Sequence, residues 1–270
     1  MNAPRPITSL TNDRINFIRA LDMRKTRKET GLFVAEGASI LITAREHGHV
    51  PEILVYLVGS ADQGITRGLV RWALANGTEC LEVSAQVLGK LAEKDNPQAM
   101  MGVFRQRWAD APVPQQQPSE AVWLALEEVR DPGNLGTILR TADAVGAAGV
   151  LLIGTCCDPF QREAIRATMG SIVAVPLVRL DQTTFLQLVG NWPGTVAGTH
   201  LEATQDFRSA IYRGPAMLVM GGEGPGLSRA VADVCTTLVK IPMAGQLDSL
   251  NLAIATALTL YHICGSKLRL

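Results

Sequence analysis

The apolar positions in the first hundred residues recur with two periods, which predict helices that alternate with strands. In residues 10–21, Ile15, Phe17, Ile18 and Leu21 recur at helical spacing and predict an amphipathic helix. Further helices are predicted at residues 37–47 and 63–75. Short apolar runs predict strands at residues 31–35, 52–58, 80–83 and 101–104. This alternation is typical of a small α/β domain of about 100 residues.

The alternation resumes beyond residue 121 and predicts a second α/β domain. Its predicted strands span residues 122–126, 149–153, 175–180, 194–198, 216–220 and 237–241. Its predicted helices span residues 134–145, 162–169, 183–189 and 228–234, and an apolar segment predicts a last helix at 247–264. Five or six strands with intervening helices predict a mostly parallel sheet that is covered on both faces.

Composition changes sharply between the two predicted domains. Residues 109–119 have no apolar period and contain three prolines, which predicts an extended, solvated linker. The predicted domains therefore cover residues 1–108 and 121–270, and the predicted linker covers residues 109–120.

The overall composition excludes several classes of protein. With 47% hydrophobic and 19% charged residues, the chain of 270 residues has the composition of a soluble globular protein. No apolar segment has the length of a membrane span and the start has no secretory signal, so a cytoplasmic location is expected. The five cysteines form no CxxC pair and the four histidines no HExxH motif, so neither a disulfide framework nor a metal site is expected.

The formal net charge is zero, but the first thirty residues carry seven basic and three acidic side chains. Arg24, Lys25, Arg27 and Lys28 are predicted to form a basic turn that could contact the phosphates of a nucleic acid. A solvated turn at a mobile terminus is an equally good interpretation of the same residues.

Two predicted strands end in loops that could bind a ligand. The strand at residues 216–220 runs into the glycine-rich residues 221–226, which must turn and can let a ligand approach the backbone. The strand at residues 237–241 ends in a second turn, and parallel strands would bring both loops to one edge of the sheet. Glu223 in the first loop either contacts a ligand or backbone amides, or is a solvated acid. The loop has neither the Lys-Ser/Thr pair of a P-loop nor GxGxxG spacing.

Polar residues also stand at the starts of two predicted helices. Asn134 is predicted to cap the helix at residues 134–145, and Arg140, almost two turns later, would point from the helix flank. Taken alone, these two residues are better interpreted as a plain cap and a surface ion pair. Asp248 or Ser249 is predicted to cap the last helix. Asn251 would then lie one turn inside that helix, where a cap does not explain it.

Three stretches of the second predicted domain resemble the ordered motifs of the SpoU (TrmH) family of RNA 2'-O-ribose methyltransferases. They begin with Asp131-Pro-Gly-Asn-Leu-Gly, Val219-Met-Gly-Gly-Glu-Gly-Pro-Gly and Ile241-Pro-Met-Ala-Gly, and extend over residues 131–146, 219–228 and 241–251. Residues 166–171 resemble a further family stretch. Residues 33–37 and 96–103 resemble the substrate-binding domain that precedes the catalytic domain in many members, so the resemblance covers nearly the whole chain.

The resemblance implies an α/β fold with a trefoil-knotted, mostly parallel-sheet methyltransferase domain at residues 121–270. It also implies a smaller, ribosomal-protein-like α/β domain at residues 1–108 that binds the RNA substrate, and a homodimer. S-adenosylmethionine is the implied cofactor, bound at Thr199, Gly221, Ile241 and Leu250. Arg140 is the implied key catalytic residue, and the implied site is completed by Asn134, Glu223, Ser249 and Asn251.

The reaction implied by the resemblance is methyl transfer to a ribose 2'-hydroxyl of structured RNA. Ribosomal RNA is expected rather than transfer RNA because an auxiliary N-terminal domain is present, and Arg24, Lys25, Arg27 and Lys28 would contact it. A transfer-RNA methyltransferase and a non-catalytic RNA-binding or ribosome-assembly factor of the same fold are the alternatives. Because arginine stays protonated, Arg140 is assigned to electrostatic stabilisation and orientation. The chain departs from the family pattern at Ala99 and Ala253, where the family commonly has glycine and serine.

Overall fold

The computed structural model describes residues 5–93 and 98–268. These residues form two compact units. The first comprises Met1–Arg107 and Asp158–Ala174, and the second comprises Trp108–Cys157 and Val175–Leu270. Asn96 and Pro97, which belong to the predicted substrate-binding motif, lie outside the described residues.

The described residues form helices and strands that alternate along both units. The helices are α1 (Asp13–Ala20), α2 (Arg24–Thr30), α3 (Ala38–Glu46), α4 (Gly64–Ala75), α5 (Ala85–Ala92), α6 (Pro132–Ala144), α7 (Arg162–Thr168), α8 (Gln182–Gly190), α9 (Arg229–Val234) and α10 (Leu252–Cys264). The strands are β1 (Arg5–Ile7), β2 (Leu32–Glu36), β3 (Ile53–Leu57), β4 (Glu79–Val83), β5 (Met100–Arg105), β6 (Val122–Glu127), β7 (Gly149–Ile153), β8 (Leu177–Leu180), β9 (Val196–Thr199), β10 (Gln205–Asp206), β11 (Ala216–Gly221) and β12 (Thr237–Lys240).

The first unit contains a five-stranded mixed sheet with the order β1-β4-β3-β5-β2. β4 pairs in parallel with β1 and β3, whereas β5 pairs antiparallel with β2 and β3. Ile15 and Ile18 of α1 and Leu88 of α5 pack on Val55 and Leu81 of the sheet. The α/β layers predicted for this region are therefore confirmed.

Three elements of the first unit differ from the prediction. The basic segment is the helix α2 rather than a turn, and Gly31 ends it in the left-handed conformation with φ 67°. The strand β1 and the helix α5 were not predicted. α5 is short, but it has a helical signature, because Ser84 caps Val87 N–H and the apolar residues 87, 88 and 91 are buried.

The second unit is built on a seven-stranded sheet with the order β10-β12-β9-β11-β6-β7-β8, in which every pair is parallel. Side chains alternate between the two faces of a strand. Met217 packs in the cluster that contains Phe185 of α8 and Val231 of α9. The alternate residues Leu124 and Leu218 are also fully buried. The mostly parallel sheet covered on both faces is therefore confirmed.

The segment predicted to be a solvated linker packs within the second unit. Ala109 N–H donates to the carbonyl of Leu177 at 2.7 Å, and Trp123 Nε1 donates to Gln117 Oε1 at 2.9 Å. Pro114–Gln116 form a short 3-10 turn. The structure therefore differs from the extended linker that the prolines predicted, because these polar groups pair with the adjoining strands.

A second difference concerns residues 158–174, which the prediction assigned to the second domain. They belong to the first unit, where three ion pairs hold them. Arg27 pairs with Asp158 at 2.9 Å, Arg162 with Asp22 at 2.7 Å and Arg166 with Glu36 at 3.0 Å. The apolar periods could not predict that residues 158–174 belong to the first unit. Such periods indicate where helices and strands occur, but not which sheet each of them packs against.

None of the helices in the described part of the chain combines the length and the apolar composition that crossing a membrane requires.

Candidate active site

The carboxyl ends of β6 and β11 lie side by side in the sheet of the second unit. Gly221, the last residue of β11, is in register with Glu127, the last residue of β6. Residues 221–227, called the glycine loop below, then leave the sheet and fold back on themselves. Gly222 and Gly226 form an isolated antiparallel bridge. The prediction paired the glycine loop with the loop after β12 instead; both strands belong to this parallel sheet, but β9 lies between them.

The glycine loop is so tight that a side chain at its base would collide with its return. A Cβ on Gly221 would lie 2.0 Å from the carbonyl carbon of Gly226 and 2.2 Å from N of Leu227. Gly224 and Gly226 have φ values of 95° and 70°, a region that favours glycine. At its four glycines the loop therefore presents backbone groups, without side chains, to the space in front of the sheet.

A chain of side-chain hydrogen bonds joins three segments that are distant in sequence. Asn134 Nδ2 donates to Glu223 Oε1 at 2.9 Å, and Asn251 Nδ2 donates to Asn134 Oδ1 at 2.9 Å. The second carboxylate oxygen of Glu223 accepts from Arg130 N–H at 3.3 Å. Glu223 is exposed, but its carboxylate also accepts hydrogen bonds from an amide side chain and a backbone N–H.

The first residues of α6 and α10, which lie beside these hydrogen bonds, differ from the predictions. Asp131, not Asn134, caps α6, because Asp131 Oδ1 accepts from Asn134 N–H at 2.6 Å. Asn251, not Asp248 or Ser249, caps α10, and its Oδ1 accepts from the N–H groups of Ala253 and Ile254. The last helix therefore begins at Leu252 rather than at residue 247, and its cap explains the polar Asn251.

A cavity of about 830 Å³ lies between the glycine loop and the turn before α10. All four residues expected to bind a cofactor line it: Thr199, Gly221, Ile241 and Leu250. Glu223, Ser249 and Asn251 also line it. Its volume lies within the range of about 300–1,000 Å³ typical of small-molecule sites. These seven residues come from the end of β9, the glycine loop and the segment between β12 and α10, which the fold brings to one place.

Arg140 is not among the residues that line the cavity. It lies on α6, its side chain is exposed, and its guanidinium makes no hydrogen bond or ion pair within residues 5–93 and 98–268. The alternative of a surface ion pair for Arg140 therefore finds no partner in the described residues. Asn134 reaches the cavity through its hydrogen bonds to Glu223 and Asn251.

The four basic residues expected to bind RNA separate into two groups. Arg24, Lys25 and Lys28 are exposed on α2. Arg27 is only 3% exposed, and its guanidinium donates to Asp158 Oδ2 and to the carbonyls of Leu21 and Asp22. The assignment of Arg27 to RNA is therefore wrong, because its donors are already used within the first unit.

The sequence predicted no role for Glu127, nor for its partners Ser228 and Gln182. Glu127 is 3% exposed and accepts hydrogen bonds from Ser228 N–H, Ser228 Oγ and Gln182 Nε2. The signal available in the sequence is a carboxylate directly at the end of an apolar strand. Its partners, 55 and 101 residues away, leave no local signal.

Two thiols of the second unit are held in the protonated form. Burial, followed by the nearby charge of Glu127, raises the pKa of Cys235 to about 12. Burial also raises the pKa of Cys156. Neither cysteine is a thiolate at neutral pH, so neither is an activated nucleophile. In the described part of the chain, no group of His, Cys, Asp and Glu side chains could hold a metal ion.

Two family models match the chain in separate regions. Residues 121–261 match the SpoU rRNA methylase family, and residues 12–102 match the MRM3-like substrate binding domain. The first match contains the glycine loop, the cavity and the hydrogen-bonded chain. The second lies within the first unit.

Solved structures resemble the chain over nearly its full length. The AdoMet-bound rRNA methyltransferase from Sinorhizobium meliloti is 40% identical with a TM-score of 0.89, and the alignment covers 98% of this chain and 99% of that one. The SpoU methyltransferase AviRb from Streptomyces viridochromogenes, in complex with AdoMet, is 28% identical with a TM-score of 0.83 and covers 95% and 98%.

The relatives found by sequence are also named as RNA methyltransferases. The 23S rRNA (guanosine(2553)-2'-O)-methyltransferase RlmP of Bacillus subtilis is 29% identical over 97% of this chain and 100% of its own. An uncharacterized tRNA/rRNA methyltransferase of Synechocystis is 32% identical over 95% of this chain and 92% of its own. With a family model that spans more than half of its residues and a 32% identical relative along most of its length, this chain belongs to the SpoU rRNA methylase family.

Proposed function

We propose that this protein transfers a methyl group from S-adenosylmethionine to a ribose 2'-hydroxyl of ribosomal RNA. The observation that carries the proposal is the hydrogen-bonded chain Glu223–Asn134–Asn251 beside the cavity. These hydrogen bonds join the family's three motif regions into one site. A protein that kept the fold but bound no ligand would not need that connection. The relatives named above as rRNA methyltransferases support ribosomal RNA as the substrate.

The cavity fits S-adenosylmethionine in its chemistry. Met220, Leu247 and Leu252 give it an apolar wall suited to adenine, and the glycine loop offers backbone groups for the polar edge of that ring. The carboxylates of Glu202 and Glu223 also line it and suit a cationic ligand. We assign cofactor binding to Thr199, Gly221, Ile241 and Leu250. When bound, the cofactor supplies an activated methyl group on a sulfonium.

The residues of the chain then have two tasks: to align the ribose and to stabilise charge. A ribose hydroxyl is a poor nucleophile, so negative charge develops on its oxygen as it attacks. Arginine side chains are cations in proteins. The guanidinium of Arg140 is exposed, and we assign it the stabilisation of that oxygen. Asn134, Glu223 and Asn251 hold the loops that orient the ribose, and Ser249 offers a hydroxyl at the cavity wall.

We assign binding of the RNA substrate to residues 1–108 and methyl transfer to residues 121–270. The exposed residues Arg24, Lys25 and Lys28 of α2 support the first assignment, since lysine and arginine that neutralise phosphates release counterions. The match to the MRM3-like substrate binding domain supports it as well.

We further propose a homodimer, a trefoil knot and a cytoplasmic location. Ile254, Leu258 and Tyr261 of α10 are 52%, 45% and 48% exposed, and their spacing places them on one face of the helix. A second copy of this chain is the proposed occupant of that face. The likeness to SpoU methyltransferase structures supports the knot, and an rRNA substrate supports the cytoplasm.

The decisive experiment maps ribose methylation on ribosomal RNA from cells with and without the gene, and repeats the reaction with purified protein and labelled S-adenosylmethionine. We expect one ribose methyl group to disappear without the gene and to return with the protein. Labelling of transfer RNA alone would support the transfer-RNA alternative. If calorimetry detects no binding of S-adenosylmethionine, the protein is a non-catalytic RNA-binding factor.

A further inference from the structure

Glu127 is a buried carboxylate to which the proposed mechanism gives no task. Its residue is only 3% exposed, and among the described residues its carboxylate makes no ion pair with a cationic side chain. Burying a charge without a cationic partner is unfavourable unless hydrogen bonds compensate it. A buried carboxylate at this position is therefore unfavourable by itself. Its hydrogen bonds show which residues it holds in place.

The carboxylate of Glu127 accepts hydrogen bonds from Ser228, the residue directly after the glycine loop, and from Gln182 at the start of α8. Oε2 accepts from Ser228 N–H at 2.8 Å, and Oε1 accepts from Ser228 Oγ at 2.6 Å. Oε1 also accepts from Gln182 Nε2 at 3.1 Å, and the same amide nitrogen donates to Ser228 Oγ at 3.0 Å. Ser228 is thereby held at its backbone and at its hydroxyl, directly after Leu227.

The glycine loop is thus fastened at both of its ends and at its tip. Its first residue, Gly221, belongs to β11, and its last residue, Leu227, packs in the core. Glu223 near the tip is held by Asn134 and by Arg130 N–H. Because glycine has much backbone freedom, a loop with four glycines needs such fixed points to keep one conformation.

We propose that Glu127 is a positioning residue for the cofactor: by holding Ser228, it keeps the glycine loop in the conformation that lines the cavity. This inference rests on the proposed function, because the ligand of the cavity is taken to be S-adenosylmethionine. Glu127 does not line the cavity, so it acts through Ser228 and not by touching the ligand. Its loss raises the dissociation constant for the cofactor and leaves RNA affinity unchanged.

The test compares Glu127→Gln with Glu128→Gln. In Glu127→Gln either orientation of the amide points a donor at another donor of Ser228 or Gln182, so one hydrogen bond is lost. We expect the dissociation constant for S-adenosylmethionine to rise about tenfold or more. In the ligand-free protein, amide hydrogen exchange across the glycine loop becomes faster. Glu128 accepts from Thr155 N–H instead, so Glu128→Gln retains the affinity of the wild type.

Ser228→Ala shows whether Glu127 acts through Ser228. We expect Ser228→Ala to weaken cofactor binding as well, and the double variant Glu127→Gln, Ser228→Ala to be little worse than either single variant. Steady-state kinetics should show a raised KM for the cofactor with an unchanged KM for RNA. If Glu127→Gln does not fold, Ser228→Ala and Gln182→Ala carry the test with the carboxylate intact.

Two results would overturn the inference while the proposed function stands, provided that the wild type binds S-adenosylmethionine. In the first, the variants bind it as tightly as the wild type does. In the second, the variants lose thermal stability but not affinity. Wild-type protein that binds no S-adenosylmethionine would overturn the proposed function and this inference together. The measurement on the wild type therefore separates the two failures.

Discussion

Asn251 donates its side-chain amide to Oδ1 of Asn134 at 2.9 Å, although the two residues are 117 positions apart in the sequence. Asn134 in turn donates to Glu223. The side-chain amide of Asn134 therefore uses its NH2 group for the glycine loop and its oxygen for Asn251 before α10. The orientation of this amide links the start of α6, the glycine loop and the start of α10. Changes at Asn134 should therefore affect all three segments at once.

Asn134→Asp should disrupt this connection. The new carboxylate can still accept from Asn251, but it faces the Glu223 carboxylate across the former hydrogen bond, and like charges repel. We expect the affinity for S-adenosylmethionine to fall about tenfold or more, as for a lost hydrogen bond to a charged group. Calorimetry measures this. Asn191→Asp, the same change at the end of α8, is the control, and an equal loss there would contradict the role of Asn134.

Arg140→Ala should separate binding from chemistry. Arg140 neither lines the cavity nor bonds to another described side chain, so cofactor binding and folding should remain unchanged. Methyl transfer should fall about 100-fold or more, as for the loss of a group that stabilises transition-state charge. Single-turnover rates measure this, with the exposed Arg213→Ala as the control. A normal rate would remove Arg140 from the mechanism.

Gly221→Ala should abolish cofactor binding. The added Cβ would lie 2.0 Å from the carbonyl carbon of Gly226, so the glycine loop and the end of β11 must move apart. Thermal unfolding and calorimetry should both report the change. Gly245→Ala is the matched control, because a Cβ at Gly245 meets no atom within 4 Å. Retained affinity in Gly221→Ala would show that the close approach is not needed.

The first unit should lose stability in mild acid through His49. Burial, followed by the charge of Arg107, lowers the pKa of His49 below its ordinary value of 6.5. The unfolded chain therefore binds a proton more readily. The stability contributed by neutral His49 is fully present above pH 6.5 and is lost as the pH falls towards the folded pKa, by at most about 1.4 kcal/mol per pH unit.

Thermal unfolding between pH 8 and pH 5 measures this effect. His49→Gln should flatten the pH dependence below pH 6.5, although it also weakens the hydrogen bond to the carbonyl of Arg105. His47→Gln, at an exposed histidine on the same turn, is the matched control variant. An identical slope in His49→Gln would refute the assignment to His49.

Leu258→Glu should give a monomer. The side chain lies at the centre of the exposed apolar face of α10 and is 45% exposed in the single chain, so a charge there would be buried by a second copy. Light scattering should report a dimer for the wild type and a monomer for the variant. Ile65→Glu, at an exposed apolar residue of α4, should remain dimeric. A monomeric wild type would contradict the dimer.

The sequence by itself determined the alternation of elements, the parallel sheet and the grouping of Gly221, Glu223 and Ile241 at strand ends. These features depend on local periods and on the rule that parallel strands share one edge, so they could be read from neighbouring residues. The same local reasoning failed at the helix starts. Whether Asp131 or Asn134 caps α6 depends on which oxygen meets the free N–H groups.

Only the tertiary structure decided which polar groups find partners far along the chain. It buried Arg27 against Asp158, paired Glu127 with Ser228 and joined Asn134 to Asn251. It also assigned residues 158–174 to the first unit. The apolar character of a side chain is enough to predict that it is buried. The hydrogen-bonding groups of a polar side chain can instead pair either with water or with a residue far along the chain. That choice depends on the path of the whole chain.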